Sequence, residues 1–237
     1  TKHLAFTSDQ GFISTGKTVN PLLGQNPYAV VSYRWAGLDP QTGDPMGYVA
    51  KQPSKDYVSI LQNPLAEQAI AGPGLPPWFG SIRNSISWKG LSLSANLTYR
   101  LGYFFRRNSI SYYALANNGR FVDYGDYARR WKSPGDEAFT NVPSFTYPLS
   151  SRRDQFYQNS DITVENGSHV RWEDVRLDYT IELKEKKRWP FRTMNAFIMA
   201  DNLNILLLKK NRVGADPDYP VGLLPSRTFS GGVKLIF

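Results

Sequence analysis

From Leu91 onward this sequence alternates. Leu91, Leu93, Ala95, Leu97, Tyr99, Leu101, Tyr103 and Phe105 fill the odd positions, and Ser92, Ser94, Asn96, Thr98, Arg100, Gly102, Phe104 and Arg106 the even ones. A period of two sends alternate side chains to opposite faces of an extended strand. The run exceeds the ~9–11 residues of a barrel strand that crosses a membrane, and far exceeds the ~5–6 residues usual in globular sheets. Just upstream, Ile82, Ile86 and Trp88 share a face with Asn84, opposite Arg83, Ser85 and Ser87. Lys89-Gly90 reads as a two-residue hairpin turn. That turn predicts the pairs Trp88–Leu91, Ile86–Leu93, Asn84–Ala95 and Ile82–Leu97, with both apolar sets on one face. A slip of one residue would mix the faces, so turn and pattern support one register.

Three further strands are expected at 168–183, 193–203 and 227–237. In the first, Val175, Leu177, Tyr179, Ile181 and Leu183 oppose Asp174, Arg176, Asp178, Thr180 and Glu182. The connections alternate between short (89–90 and 184–192) and long (107–167 and 204–226). Outer-membrane barrels have short periplasmic turns and long extracellular loops. The expected fold is therefore all-β: an antiparallel transmembrane β-barrel segment of five long strands with long extracellular loops. Residues 1–80 read mainly as an extracellular loop region following an earlier barrel strand, with a short helix within 54–72 broken at Asn63-Pro64. Residues 81–237 carry the strands.

Charge cost assigns the faces, because Arg or Lys on the lipid face near the midplane destabilises a barrel by about 2–4 kcal/mol. Ile82, Ile86, Leu91, Leu93, Leu97, Tyr99, Leu101 and Phe105 are expected to face lipid. Arg83, Ser92, Ser94, Asn96, Thr98, Arg100 and Arg176 are expected to face the lumen. The closing strand, with Val233, Leu235 and a final Phe237, fits the signal read by barrel-assembly machinery.

Mean hydropathy is −0.42, and no apolar run approaches the ~18 residues of a membrane helix. Barrel strands average out as polar, so this leaves a barrel open. Cysteine is absent, which excludes disulfides, thiol catalysis and Cys-based zinc sites. The formal charge of +8 reads as solvated Lys and Arg at strand ends and in loops, with no nucleic-acid partner. The start, Thr1-Lys2-His3-Leu4, lacks the charged and apolar regions of a signal peptide, so a processed, split or fragmentary chain is expected.

Several segments resemble the SusC/RagA family of TonB-dependent outer-membrane transporters from Bacteroidota. Tyr33-Arg34-Trp35-Ala36-Gly37-Leu38-Asp39 with Thr42-Gly43-Asp44-Pro45 is similar to a loop motif of that family. So are Pro77-Trp78-Phe79-Gly80-Ser81 running into Trp88-Lys89-Gly90-Leu91, and Trp131-Lys132-Ser133-Pro134-Gly135-Asp136. Asp201-Asn202-Leu203, Asp216-Pro217 and Arg227-Thr228-Phe229 with Phe237 follow in family order, so the matches run from about residue 26 to the end. The resemblance implies a plugged barrel of about 22 strands, of which this chain is the C-terminal part. It implies TonB-powered import of glycan or peptide fragments beneath a SusD-like surface lipoprotein. The implied partners are the N-terminal remainder of the barrel with its plug, TonB, the assembly machinery and outer-membrane lipid.

Other motifs carry less. Gly11–Thr18 matches a phosphate loop, but Pro21, Gly24 and Pro27 follow where its helix should begin. Asp39–Asp44 and Asp216–Asp218 have spacings that more often make turns than calcium sites. His3 and His169 are far apart, and no Gly-x-Ser-x-Gly occurs. No catalytic residue, metal or cofactor is expected. Tyr112, Tyr113, Tyr124 and Trp131, with Phe121 and Tyr127, crowd one long loop. They could stack on a ligand or pack the loop's own core. Two other readings stay open: an accessory barrel subunit of another envelope complex, and a soluble all-β carbohydrate-binding module.

Overall fold

The computed structural model describes residues 11–20, 22, 24–118, 125–182, 190–220 and 224–237. The chain divides into two compact units: a sheet unit of Trp78–Leu101, Ser168–Lys209 and Leu223–Phe237, and a loop unit formed by the rest.

The sheet unit holds β1 (Trp78–Trp88), β2 (Leu91–Leu101), β3 (His169–Glu182), β4 (Thr193–Lys209) and β5 (Thr228–Ile236). Neighbours in sequence are neighbours in space, and every pairing is antiparallel. The sheet is open, with β1 and β5 at its edges. The β1–β2 hairpin has the expected register, pairing Trp88 with Leu91, Ile86 with Leu93, Asn84 with Ala95 and Ile82 with Leu97. Lys89 (φ 47°) and Gly90 (φ 84°) both adopt positive φ, as a tight right-twisted hairpin turn requires. A side chain at residue 90 would collide with the Thr180 carbonyl, so glycine is needed twice over there.

Register carries the apolar face across all five strands. Leu93 sits beside Leu177, Leu177 beside Ile198, and Tyr179 beside Ala196, which pairs with Val233. Upstream of Asp174 the alternation of β3 changes parity, and a bulge at Glu173 absorbs the extra residue. That bulge brings Trp172 opposite Leu97, and Val170 opposite Tyr99, on the same face.

Two expectations fail at strand ends. β4 does not stop at Leu203 but continues to Lys209, leaving a shorter connection after it. The alternation breaks because Asn202 (φ 52°) and Asn204 (φ 55°) both take the left-handed region, which asparagine tolerates. Their side-chain amides donate to the carbonyls of Ser226 (3.3 Å) and Pro225 (2.8 Å). Beyond this bulge the strand resumes, and Ile205 pairs with Trp172.

β2, conversely, ends at Leu101. Gly102 turns with φ 79°, and Phe104–Arg106 pairs instead with Val164–Asn166. Phe105, expected on the lipid face, is therefore not on that face: it is 6% exposed, inside the loop unit. The alternation is real on both sides of Gly102, but it serves two different burials.

The loop unit is more ordered than a loop region suggests. Ser14–Thr15, Ala29–Ser32 and Ala69–Pro73 form one small antiparallel sheet. Gly37–Leu38, Pro45–Val49 and Gln52–Ser54 form another. The expected short helix is present as α1 (Tyr57–Leu61), capped by the Asp56 carboxylate, and a 3-10 turn follows the break at Leu65–Glu67. The long connection adds α2 (Tyr112–Asn118), α3 (Asp126–Arg129) and α4 (Ser151–Gln158).

The cores are small and aromatic. Tyr33, Ile60 and Phe156 form one, with Trp35 stacked on Phe156 at 6.1 Å. Ile110, Tyr112, Val142 and Tyr157 form a second. No described helix is long and apolar enough to cross a membrane, which says nothing of strands.

Candidate functional site

The sheet segregates two chemistries. Opposite the apolar face, β2 presents Ser92, Ser94, Asn96 and Thr98, and the neighbouring strands present Arg83, Arg176 and Asp178. These charges are paired within the face. Arg83 Nη2 lies 2.8 Å from Asp174 Oδ2, and Arg176 forms a two-pronged contact with Asp178 at 2.7 and 2.8 Å. Thr98 donates to Glu173 at 2.7 Å, and Asn195 to the Thr180 hydroxyl at 2.9 Å. The two edges lie eleven (β1) and nine (β5) residues long, with one side unpaired in each case.

The apolar face is left open. Ile82 is 54% exposed, Ile86 73%, Ile198 62% and Val233 63%. Soluble monomers rarely expose contiguous apolar patches above a few hundred Å². A concavity of about 690 Å³ lies on this face, where Ala200 and Gly231 leave room between Leu93, Leu177, Ile198 and Phe229.

In the loop unit the aromatic candidates separate. Tyr112 is buried and donates its hydroxyl to the Pro143 carbonyl at 2.6 Å. Trp131 is buried too, and its indole N–H donates to Glu137 at 2.9 Å. Both build the loop's interior rather than a stacking platform. Tyr113 and Tyr127 stay about half exposed. Phe121 and Tyr124 lie outside the described residues.

Sequence reasoning missed a cavity of about 450 Å³ lined by Arg34, Trp35, Tyr48, Lys51, Glu67 and Asp161. Its polar groups are held in place. Asp161 Oδ1 accepts from the Trp35 backbone N–H at 3.0 Å, and Arg34 Nε donates to the Glu67 carbonyl at 3.1 Å. Burial pushes the Asp161 carboxyl above its ordinary value, against that backbone N–H and the nearby Arg34. Aromatic walls with opposed charges at the rim suit an amphipathic ligand. The residues come from two segments more than ninety positions apart, so no local motif could reveal them.

Arg106 ties this region together. Its guanidinium donates to the Val31 and Ser160 carbonyls and the Ser32 hydroxyl at 2.9–3.2 Å. Burial pulls it down to about 10, so it stays charged at neutral pH.

The Asp39–Asp44 turn already holds a cation. Lys55 Nζ lies 2.6 Å from Asp39 and 3.9 Å from Asp44, and Arg153 Nε takes the other Asp44 oxygen at 2.8 Å. In the second acidic turn, Asp216 Oδ1 accepts the Asp218 backbone N–H. Among the described residues no group of three or more His, Cys, Asp or Glu could hold a metal.

No family model matches the sequence, and no curated protein matches it. Solved structures do match. The chain is similar to part of the RagAB peptide importer. In its 'open-open' state the TM-score is 0.64 at 22% identity, covering 98% of this chain and 24% of that one. In its 'closed-closed' state the TM-score is 0.61 at 21% identity, with 97% and 25% covered. A structure of the RagAB peptide transporter gives 0.63 at 20% identity. At such identity the likeness is one of fold, and the chain spans about a quarter of the length of those proteins. It agrees with the SusC/RagA resemblance in the sequence and extends over nearly every described element. The proteins that share the fold are transporters, not enzymes.

Proposed function

We propose that this chain is the C-terminal barrel portion of a TonB-dependent outer-membrane transporter that imports peptides. The observation that carries the reading is the five-strand sheet itself. Its strands run 9 to 17 residues, and one apolar face crosses all of them uncovered by protein. In a sandwich, a second sheet would bury that face; in a bilayer, lipid covers it. A soluble carbohydrate-binding module therefore fits poorly.

In this reading Ile82, Ile86, Leu91, Leu93, Leu97, Tyr99 and Leu101 face lipid, and Arg83, Ser92, Ser94, Asn96, Thr98, Arg100 and Arg176 face the lumen. Edges β1 and β5 pair with the remainder of the barrel, which also encloses the plug. Val233, Leu235 and Phe237 present the assembly signal. The loop unit lies outside the cell, where a SusD-like lipoprotein covers it, and TonB drives release. Peptide is favoured over glycan because the solved structures of similar fold are of a peptide importer. The Trp35–Tyr48 cavity is the candidate cargo contact.

Uptake decides the matter. Cells carrying the gene should import a labelled peptide mixture in a TonB-dependent way, and a deletion strain should lose that uptake. Unchanged peptide uptake with lost glycan uptake would move the cargo to sugar. Recovery of the native protein in the detergent-free soluble fraction would defeat the barrel reading.

A further inference from the structure

A second cavity of the loop unit, about 520 Å³, has a different character. Arg107, Arg129, Arg130, Lys132 and Arg212 line it, five cations against the three carboxylates of Asp126, Asp136 and Glu165. Each carboxylate is already engaged. Asp126 is fully buried between Arg107 at 2.8 Å and Arg129 at 3.1 Å, and it also accepts the Ile110 backbone N–H. Asp136 Oδ2 accepts the backbone N–H groups of Lys132 and Ser133 at 2.9 and 3.0 Å. Glu165 Oε2 accepts the Arg212 backbone N–H at 3.1 Å.

Arg130 is also positioned. Arg130 lies 4.1 Å over the Tyr127 ring and donates to the Tyr127 carbonyl at 2.7 Å, which fixes its plane without neutralising it. The volume is ample for several side chains rather than a single small anion. Phe139, 92% exposed, adds an apolar contact beside the charges.

We infer that this cavity selects carboxylate-bearing peptides, reading an Asp or Glu side chain beside an apolar one. The inference rests on the peptide-importer reading and deepens it. Planar guanidiniums match carboxylates in two-pronged fashion, and ammonium and guanidinium groups at a rim speed capture of an acidic ligand.

The test uses the full-length transporter in detergent, titrated by calorimetry with three matched peptides containing Glu-Glu-Phe, Gln-Gln-Phe or Lys-Lys-Phe. The acidic peptide should bind at least about tenfold more tightly than the Gln peptide at low salt, and the gap should narrow at high salt. In the double variant Lys132→Gln, Arg212→Gln the gap should close, while the Gln peptide binds as before. That unchanged binding shows that the variant is folded. Equal affinity for acidic and neutral peptides, or a preference that survives in the double variant, would overturn the inference and leave peptide import standing. Failure of the wild type to bind any of the three would overturn both.

Discussion

Leu97→Arg and Thr98→Arg place the same charge one residue apart, on opposite faces of β2. Leu97 lies between Ile82 on one side and Trp172 on the other, all on the apolar face. It is six residues beyond Leu91, where β2 leaves its tight turn. At ~3.4 Å per residue that is roughly 20 Å of strand, and a tilt near ~45° reduces it to about 14 Å of depth. In the barrel reading the hydrocarbon layer is about 30 Å thick, which would put Leu97 near its midplane. Arginine there should cost about 2–4 kcal/mol, roughly a 30- to 900-fold shift in the folding equilibrium. Thr98 faces the other way and donates to Glu173 at 2.7 Å. An arginine there loses one hydrogen bond but keeps that carboxylate as an ion-pair partner. Its cross-strand neighbour Arg171 adds some repulsion. The net cost should stay near ~1 kcal/mol. Both variants of the full-length protein would be assayed for the heat-modifiable band of an assembled barrel in outer-membrane fractions. Leu97→Arg should reduce that band sharply, and Thr98→Arg should leave most of it. If Thr98→Arg blocks assembly and Leu97→Arg does not, the two faces are inverted and the lipid assignment is wrong.

Three further outcomes follow from other parts of the molecule. Asp126→Ala would strand the buried Arg107 guanidinium, at a local cost of about 3–5 kcal/mol, so hydrogen exchange around Ile110 should accelerate strongly while the barrel band persists; unchanged exchange would contradict the pairing. The hydrogen bond from Lys55 holds the Asp39 carboxyl down at about 2, below its ordinary 3.8, so its stabilisation is complete above about pH 4 and lost as pH falls towards 2. Protease resistance of residues 33–61 should follow that course and lose it in Asp39→Asn, whereas calcium or a chelator should change neither, because Lys55 already fills the site. This chain alone, refolded in detergent, should give no heat-modifiable band, since unpaired backbone along β1 and β5 costs several kcal/mol per group in lipid; a closed barrel from these five strands would refute that.

What could be read from the sequence, and what could not, divides along physical lines. The β1–β2 hairpin was legible to the residue because two constraints converge on it: a two-residue turn fixes the register, and period-two patterning fixes the faces. The end of β4 was not legible, because Asn202 and Asn204 in left-handed conformation erase the alternation for three residues although the pairing resumes beyond them. The end of β2 failed in the opposite sense. Tyr103 and Phe105 keep the period of a strand face, but Gly102 redirects them into the loop unit, and patterning alone cannot tell lipid from a protein interior.

The same logic explains the sites. An aromatic cluster in a long loop is ambiguous in sequence, and the hydrogen bonds of Tyr112 and Trp131 resolve it towards packing. The two cavities arise where the segments 34–67 and 161, and 107–142 with 162–165 and 212–213, come together, a proximity that no local spacing encodes. Buried charges also tie the segments of the loop unit to one another. Arg106, Arg107 and Arg153 each bind carbonyls, hydroxyls or carboxylates from other segments of the chain, at 2.8–3.3 Å. The loop unit's apolar clusters are only a few residues each, too small to fix so much irregular chain alone. Multivalent arginines supply the missing specificity: Arg106 satisfies three backbone carbonyls, and Arg107 and Arg153 each join one carbonyl to a carboxylate and a hydroxyl. The long connections are thus folded units with their own cores and buried ion pairs, separate from the sheet whose strands they join.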